Sequence, residues 1–324
     1  YYSLKWWIRR AFELGFTGRD MNKYDEPQVA ETGGVWVTIG SSFGLLTLLA
    51  LDKYLYSVFQ TESILALSLM LFMASFIGFL DDLMGWKKGI KQIYRVIAML
   101  PLSIPLVVIK AGYSKMSIPF IGVVDFGLIY PLIIVPIGIM GASNAFNMIA
   151  GYNGLEALQA IILLLFTAVF SLTRGIELVF YCSTIMILAL IAFLIYNWYP
   201  ARVFPGNSLT YGVGAYYASL VIIGNFEKFG LMMFTLYFIE LILFIRGLRN
   251  GVYKENFGIP DENNYLNPPY EKTYSITHFA IKIQKKILGK ATEKGVVYTI
   301  AILQLITCVI SFLLYNLIIV GEGV

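Results

Sequence analysis

Histidine and cysteine are nearly absent from this chain, and charge is scarce. One His and two Cys stand among 324 residues, and 14% of the residues are charged. A single imidazole cannot furnish the His and Cys ligands of a zinc cluster. Cys182 and Cys308 both lie within apolar runs, where a packed thiol is the default over half of a disulfide. There is no Gly-rich loop of the P-loop pattern, no internal repeat and no low-complexity tract. A zinc cluster of that kind and a P-loop are therefore excluded.

What the chain has in excess is apolar sequence. Hydrophobic residues make up 58%, and mean hydropathy is +0.73. Runs near the roughly 20 residues that cross about 30 Å of hydrocarbon recur along the whole length. The expected fold is an all-α, polytopic transmembrane bundle, because lipid offers the backbone no other hydrogen-bond partner. Nine spans are expected, near 33–51, 62–80, 92–110, 127–145, 154–172, 177–197, 208–224, 229–248 and 296–319. The opening "YYSLKWWIRRAFELG" reads as the interfacial end of a helix whose earlier part precedes it, so a tenth span is expected upstream. The whole chain, 1–324, reads as one integral membrane domain.

Alternating the spans divides the 24 Lys and Arg into 19 on one side and 5 on the other. The positive-inside rule places the richer side in the cytoplasm. That side also holds the polar connections "GFTGRDMNKYDEPQVAETGG" (15–34), "DDLMGWKKGIK" (81–91), "NAFNMIAGYNGLE" (144–156) and "YPARVFPGNSLT" (199–210). On the opposite side, "KAGYSKMSIPFIGVVDFG" reads as a small hairpin over the bundle. Function is therefore expected at the cytoplasmic face.

Asp81 and Asp82 follow "ASFIGFL" directly, near hydrocarbon depth, where an unpaired charge costs several kcal/mol. Neighbouring helical residues point about 100° apart, so the two carboxylates suit two distinct roles. A hydrated helix end countered by Lys87 and Lys88 is the plain alternative. Asn144 and Asn147, three residues apart, share a helix face and ligate through oxygen. Gly151 and Gly154 permit a tight turn that brings Asn153 to a ligand; helix capping accounts for one or two of these amides. In "FPGNSLT", Asn207 or Ser208 reads as a helix N-cap, with exposed N–H groups that suit an anion. Together with Lys91, these oxygen ligands and amide donors suit a divalent cation with a phosphate ester. Mg²⁺ is the expected ion, with Mn²⁺ as the alternative.

The stretches "GRDMNK", "VAETGG", "GFLDD" with a Lys ten positions after its first Asp, "NAFNMIAGYNGLEA", "YNWYPARVFPGN" and "EKGVVYTIAILQLITCVISF" carry a resemblance over nearly the whole chain. It resembles the polyprenyl-phosphate N-acetylhexosamine-1-phosphate transferases, and more closely the eukaryotic and archaeal branch than the bacterial one. The resemblance implies a ten-helix bundle in which a polyprenyl (dolichyl) phosphate oxygen attacks the β-phosphorus of UDP-GlcNAc and UMP leaves, the first step of lipid-linked glycan assembly for N-glycosylation. It implies Asp81 and Asp82 as the catalytic acidic pair, the first accepting the lipid phosphate's proton or organising the nucleophile. It further implies Asn147 as a metal ligand, with Asp82 and Asn207 beside it. Lys91 is implied as a phosphate contact, Asn153 as a uracil contact and Glu31 as part of the nucleotide-side loop; Asn144 and Arg249 are further candidates for substrate binding. Such chemistry needs positioning and charge neutralisation more than a strong base, because a phosphate monoester has a second pKa of about 6.

Two departures stand out. Where the family usually has Gly-Asp, with the Asp on the metal, this chain has Gly206 and Asn207. An amide oxygen still ligates but brings no charge. The family's His/Arg-rich sugar motif is also missing from the cytoplasmic loop 249–294, which aligns mainly through Ile259 and Pro260. Arg246, Arg249 and Lys254 are candidate substitutes, against the reading of exposed positive-inside charges. The end of that loop, "SITHFAIKIQKKILGK", sets Ile276, Phe279, Ile283 and Ile287 at helical spacing, with Lys282, Lys285, Lys286 and Lys290 largely elsewhere. It reads as an interfacial amphipathic helix, with His278 an interfacial polar residue.

Expected partners are UDP-GlcNAc, dolichyl or polyprenyl phosphate and membrane lipid, with a second copy of the chain as an option and no nucleic acid. The absence of an inserted domain in the last cytoplasmic loop favours an archaeal plasma membrane over an endoplasmic reticulum. Two alternatives stay open: the same chemistry with another UDP-sugar or undecaprenyl phosphate, and an ion-coupled transporter with its polar groups along an ion path.

Overall fold

Apolar runs this long satisfy their backbone groups only by coiling, and helices dominate the structure. It is a computed structural model that describes residues 1–84, 97–118 and 122–321. Helix α1 (Tyr2–Leu14) leads through a hairpin of β1 (Thr17–Arg19) and β2 (Gln28–Ala30) into α2 (Gly34–Leu51) and α3 (Thr61–Leu83). A short α4 (Ile104–Val108) and a hairpin of β3 (Lys115–Ile118) and β4 (Gly122–Asp125) precede α5 (Val135–Met148). Then come α6 (Leu155–Thr173), α7 (Glu177–Asn197), α8 (Gly206–Ile223), α9 (Glu227–Met233) and α10 (Thr235–Arg249). A last loop carries β5 (Ile259–Pro260), β6 (Leu266–Asn267) and α11 (Ile276–Leu288), and α12 (Glu293–Gly321) closes the described chain.

The all-α membrane bundle is as expected, but the count of nine spans is not confirmed. Among the described residues six helices are long and apolar enough to cross a membrane, and seven if α9 and α10, bent by 58°, form one broken span. The expected span at 92–110 lies partly outside the described residues. The expected span at 208–224 is present as α8, yet α8 is not among the apolar six. Its position explains this: 15 of its 18 residues are buried. It packs against α2, α3 and α5 inside the bundle, so its surroundings are protein and tolerate Tyr, Ser and Thr. The outer helices turn large apolar side chains outward, such as Leu188 and Ile195 on α7.

Small residues let α8 approach its neighbours closely. A Cβ on Gly78 of α3 would collide with the backbone of Asn207 and Ser208, and one on Gly214 of α8 would collide with the backbone of Ala142 and Ser143 in α5. The expected hairpin also forms, with Lys115 opposite Asp125 and Ser117 opposite Val123.

Loop 249–294 is built onto the bundle. Glu240 and Lys254 form a buried ion pair, and Glu240 also accepts the Ile276 N–H at 2.7 Å and the Ser275 hydroxyl at 2.9 Å, which holds the start of α11. Lys254 is therefore a buried structural cation, correcting its reading as an exposed charge. His278 is likewise buried in place of interfacial, with Nε2 2.8 Å from the Glu255 carbonyl oxygen. The reason is common to both: α11 packs on α10 and α12 through Ile276, Ala280 and Ile281, while Phe279 and Ile287 on another face are exposed.

Candidate active site

One loop and the ends of two helices converge on the first turn of α8. The segment after β2 runs beside the one before α8: Phe204 N–H donates to Ala30 O at 2.7 Å, Gly33 N–H to Phe204 O at 2.9 Å and Gly34 N–H to Pro205 O at 2.9 Å. That pairing places Glu31 just before the segment that meets α8, with its carboxylate against Gly18 of β1. The Glu31 backbone carbonyl is held by the Trp7 indole N–H at 2.7 Å and the Thr32 hydroxyl at 2.8 Å. Burial pushes the Glu31 carboxyl above the usual range, because low dielectric disfavours its charged form.

Asp81 and Asp82, in the last turn of α3, meet α8 in different ways. Asp82 accepts the backbone N–H of Asn207 at 2.7 Å and of Ser208 at 3.2 Å. Asp81 accepts the Asn207 side-chain N–H at 2.8 Å. Two adjacent residues thus meet different partners, in keeping with their 100° separation on the helix. The expected capping of α8 by Asn207 or Ser208 is corrected: no side chain of its own caps the helix, whose N-cap is Pro205. The carboxylate of Asp82 supplies the acceptor from the neighbouring helix α3, where the positive end of the α8 dipole favours an anion.

Asn147, at the end of α5, completes the cluster. Its Nδ2 donates to Asn207 Oδ1 and, at 3.0 Å, to the Thr210 hydroxyl. Both amide hydrogens are used, which turns Oδ1 away from these partners. Asn144 is not joined to the cluster by hydrogen bonds among the described residues; its Nδ2 returns to the Met140 carbonyl at 2.8 Å. Arg246 and Arg249 are exposed in the last turn of α10. Lys91 lies outside the described residues.

Among the described residues no group of three His, Cys, Asp or Glu side chains could hold a metal ion. The available donors are hard oxygens, from Asp81, Asp82 and the amides of Asn147 and Asn207. That set fits Mg²⁺, which takes one or two carboxylates and completes its shell with water or phosphate oxygen.

Asn153 sits in a second cluster that sequence reasoning missed. Its Nδ2 donates to Asp20 at 3.0 Å and its backbone N–H to Glu293 at 2.8 Å. Lys23 bridges the two carboxylates, 3.1 Å from Asp20 and in contact with Glu293. Asn22 donates to the Gly151 carbonyl at 2.7 Å, and Gly151 N–H donates to Glu156 at 2.8 Å. Charged residues in "GRDMNK" beside a glycine-rich turn were the available signal, but burial of the charges was not readable in one dimension.

A helical membrane bundle with an acidic, amide-rich cluster at the mouth of its central helix defines an integral membrane protein with a polar site at one end of the bundle. Residues 64–225 match the family model for glycosyl transferase family 4, and the chain belongs to that family. It is 34% identical to a Saccharolobus solfataricus protein provisionally named UDP-N-acetylglucosamine–dolichyl-phosphate N-acetylglucosaminephosphotransferase, over 97% of this chain and 92% of that one. A Sulfolobus acidocaldarius protein with the same provisional name is 35% identical over 87% and 84% of the two chains. The Dictyostelium discoideum UDP-N-acetylglucosamine–dolichyl-phosphate N-acetylglucosaminephosphotransferase is 26% identical over 92% and 81%.

Proposed function

We propose that this protein transfers N-acetylglucosamine 1-phosphate from UDP-GlcNAc to dolichyl phosphate and releases UMP. The observation that carries the reading is the convergence of Asp81, Asp82 and Asn147 on the first turn of α8, in a chain similar over nearly its whole length to proteins named for that reaction. An acceptor phosphate oxygen bonds to the β-phosphorus. The bond from that phosphorus to the oxygen bridging the α-phosphate breaks, and its electron pair leaves with UMP.

Asp81 takes the residual proton of the acceptor phosphate or orients its attacking oxygen. Asp82, Asn147 and Asn207 would hold Mg²⁺, which when bound would neutralise charge on the pyrophosphate. Lys91 meets a phosphate, Asn153 the uracil, Glu31 lines the nucleotide side, and Asn144 and Arg249 border the substrate. The distribution of Lys and Arg supports a cytoplasmic site, and the archaeal relatives support an archaeal plasma membrane. A transporter is disfavoured because the acidic pair stands in the last turn of α3, at the bundle's mouth.

The test is UMP release and lipid-linked product from purified protein with dolichyl phosphate and a panel of radiolabelled UDP-sugars, with Mg²⁺ or with chelator. Incorporation from UDP-GlcNAc that chelator abolishes is the expected result. Asp81→Asn and Asp82→Asn should each lower turnover by about 100-fold or more; full activity in both variants overturns the site.

A further inference from the structure

The second cluster is a closed ring. Asn153 Nδ2 donates to Asp20 Oδ2, the same oxygen that Lys23 Nζ reaches; Lys23 also contacts Glu293, and Glu293 Oε1 accepts the backbone N–H of Asn153. All four residues are buried, with exposures of 4% for Asp20, 8% for Lys23, 3% for Asn153 and 3% for Glu293. Lys23 additionally lies over the Tyr199 ring at 4.2 Å from its centroid. The members come from the first loop, the glycine turn and the start of α12, segments that no local interaction would bring together.

The ring has one chemical consequence. An ionised carboxylate only accepts hydrogen bonds, so Asp20 admits the NH₂ end of the Asn153 amide and repels its oxygen. Flipping that amide would set Oδ1 against a carboxylate in a buried site, at the cost of a lost charge-assisted hydrogen bond and an unfavourable contact. Among the described residues no donor meets Asn153 Oδ1. The side chain therefore presents an acceptor, in one sense only.

We propose that Asp20, held by Lys23 and Glu293, is a positioning residue that fixes the Asn153 amide with its oxygen toward the nucleobase, where it selects a base edge carrying an N–H donor. The inference rests on the reading that Asn153 meets the uracil. Uracil presents N3–H to such an oxygen. Cytosine presents a bare N3 at the same place, which meets Oδ1 as acceptor against acceptor. Asp20 thus sets base selection without touching substrate.

The experiment measures binding of UMP and CMP to the purified full chain by calorimetry, together with KM and kcat for UDP-GlcNAc, in wild type, Asp20→Ala and Asp20→Glu. Alanine at 20 removes the acceptor and leaves Lys23 paired with Glu293, so the Asn153 amide is freed to flip. In Asp20→Ala we expect UMP affinity to fall about tenfold, the size of one hydrogen bond of about 1.4 kcal/mol. The UMP-over-CMP preference should shrink by a similar factor, KM should rise and kcat should stay within about twofold. Asp20→Glu should recover much of the preference. Wild-type selection and affinity retained in Asp20→Ala overturn the proposal and leave the transferase reading intact. Failure of wild type itself to bind UMP overturns both. Should Asp20→Ala not fold, Asn153→Ser leaves the carboxylates and Lys23 in place and removes the amide; undiminished UMP-over-CMP preference there overturns the proposal equally.

Discussion

Asn207 mediates between the acidic residues and Asn147. Its Nδ2 serves Asp81, its Oδ1 receives Asn147, and its backbone N–H serves Asp82. Replacing that amide by a carboxylate, Asn207→Asp, sets an acceptor against Asp81 where a donor stood 2.8 Å away. A third acid must then be neutralised by a proton or a cation. The variant should melt several degrees lower than wild type in chelator, and Mg²⁺ should raise its Tm more than it raises that of wild type. Equal Mg²⁺ responses would refute the role of position 207. His278 makes a separate prediction. Burial, aided by Lys254 and Lys282, pushes its imidazole down to about 4 against the bond to Glu255. A folded value below the ordinary one of about 6.5 means that the folded state binds the proton more weakly. Its contribution is whole above pH of about 6.5 and is lost as the pH falls toward 4, up to about 3 kcal/mol. Melting curves between those limits should fall more steeply for wild type than for His278→Gln, and identical slopes would refute the assignment. The candidate residues themselves were legible as types and spacings. The partners of Asn153 and the burial of His278 were not, because a carboxylate or imidazole reads the same whether it is buried or exposed.

At the scale of elements, the contact between α3 and α8 determines whether the acidic pair reaches its partners. Gly78 lies one turn before Asp82 against the backbone of Asn207 and Ser208, with no room for a Cβ. Gly78→Ala should force the helices apart, cost about 1–3 kcal/mol and lower kcat. Gly40→Ala in α2, where a Cβ meets open space, should stabilise by about 0.5–1 kcal/mol and leave turnover unchanged. Thermal unfolding and UMP release on the two variants check both, and similar outcomes for the pair would refute the close-approach argument. The outer helices were readable from hydropathy because lipid selects their composition. The central helix α8 was readable as a helix, but protein surrounds it, so hydropathy says little about its place. The bend of 58° between α9 and α10 is likewise a matter of packing.

For the whole molecule, two buried ionic clusters tie the polar loops to the bundle. Lys254→Met strands the Glu240 charge, whose side chain has 0% exposure, and should cost about 3–5 kcal/mol. Lys254→Met with Glu240→Gln should recover much of that loss, as measured by Tm in detergent. No recovery would mean that the pair does not hold loop 249–294 in place. By itself the sequence determined the helical membrane class and the identity of the acidic and amide residues, since run length and motif spacing are properties of a chain in one dimension. Only the tertiary structure decided which charges are buried and whom they meet. Lys23 and Glu293 lie 270 positions apart, and Asp82 caps a helix that begins more than a hundred residues later. A buried charge is tolerable only beside its partner, and the packing of α8 among its neighbours brings the partners together.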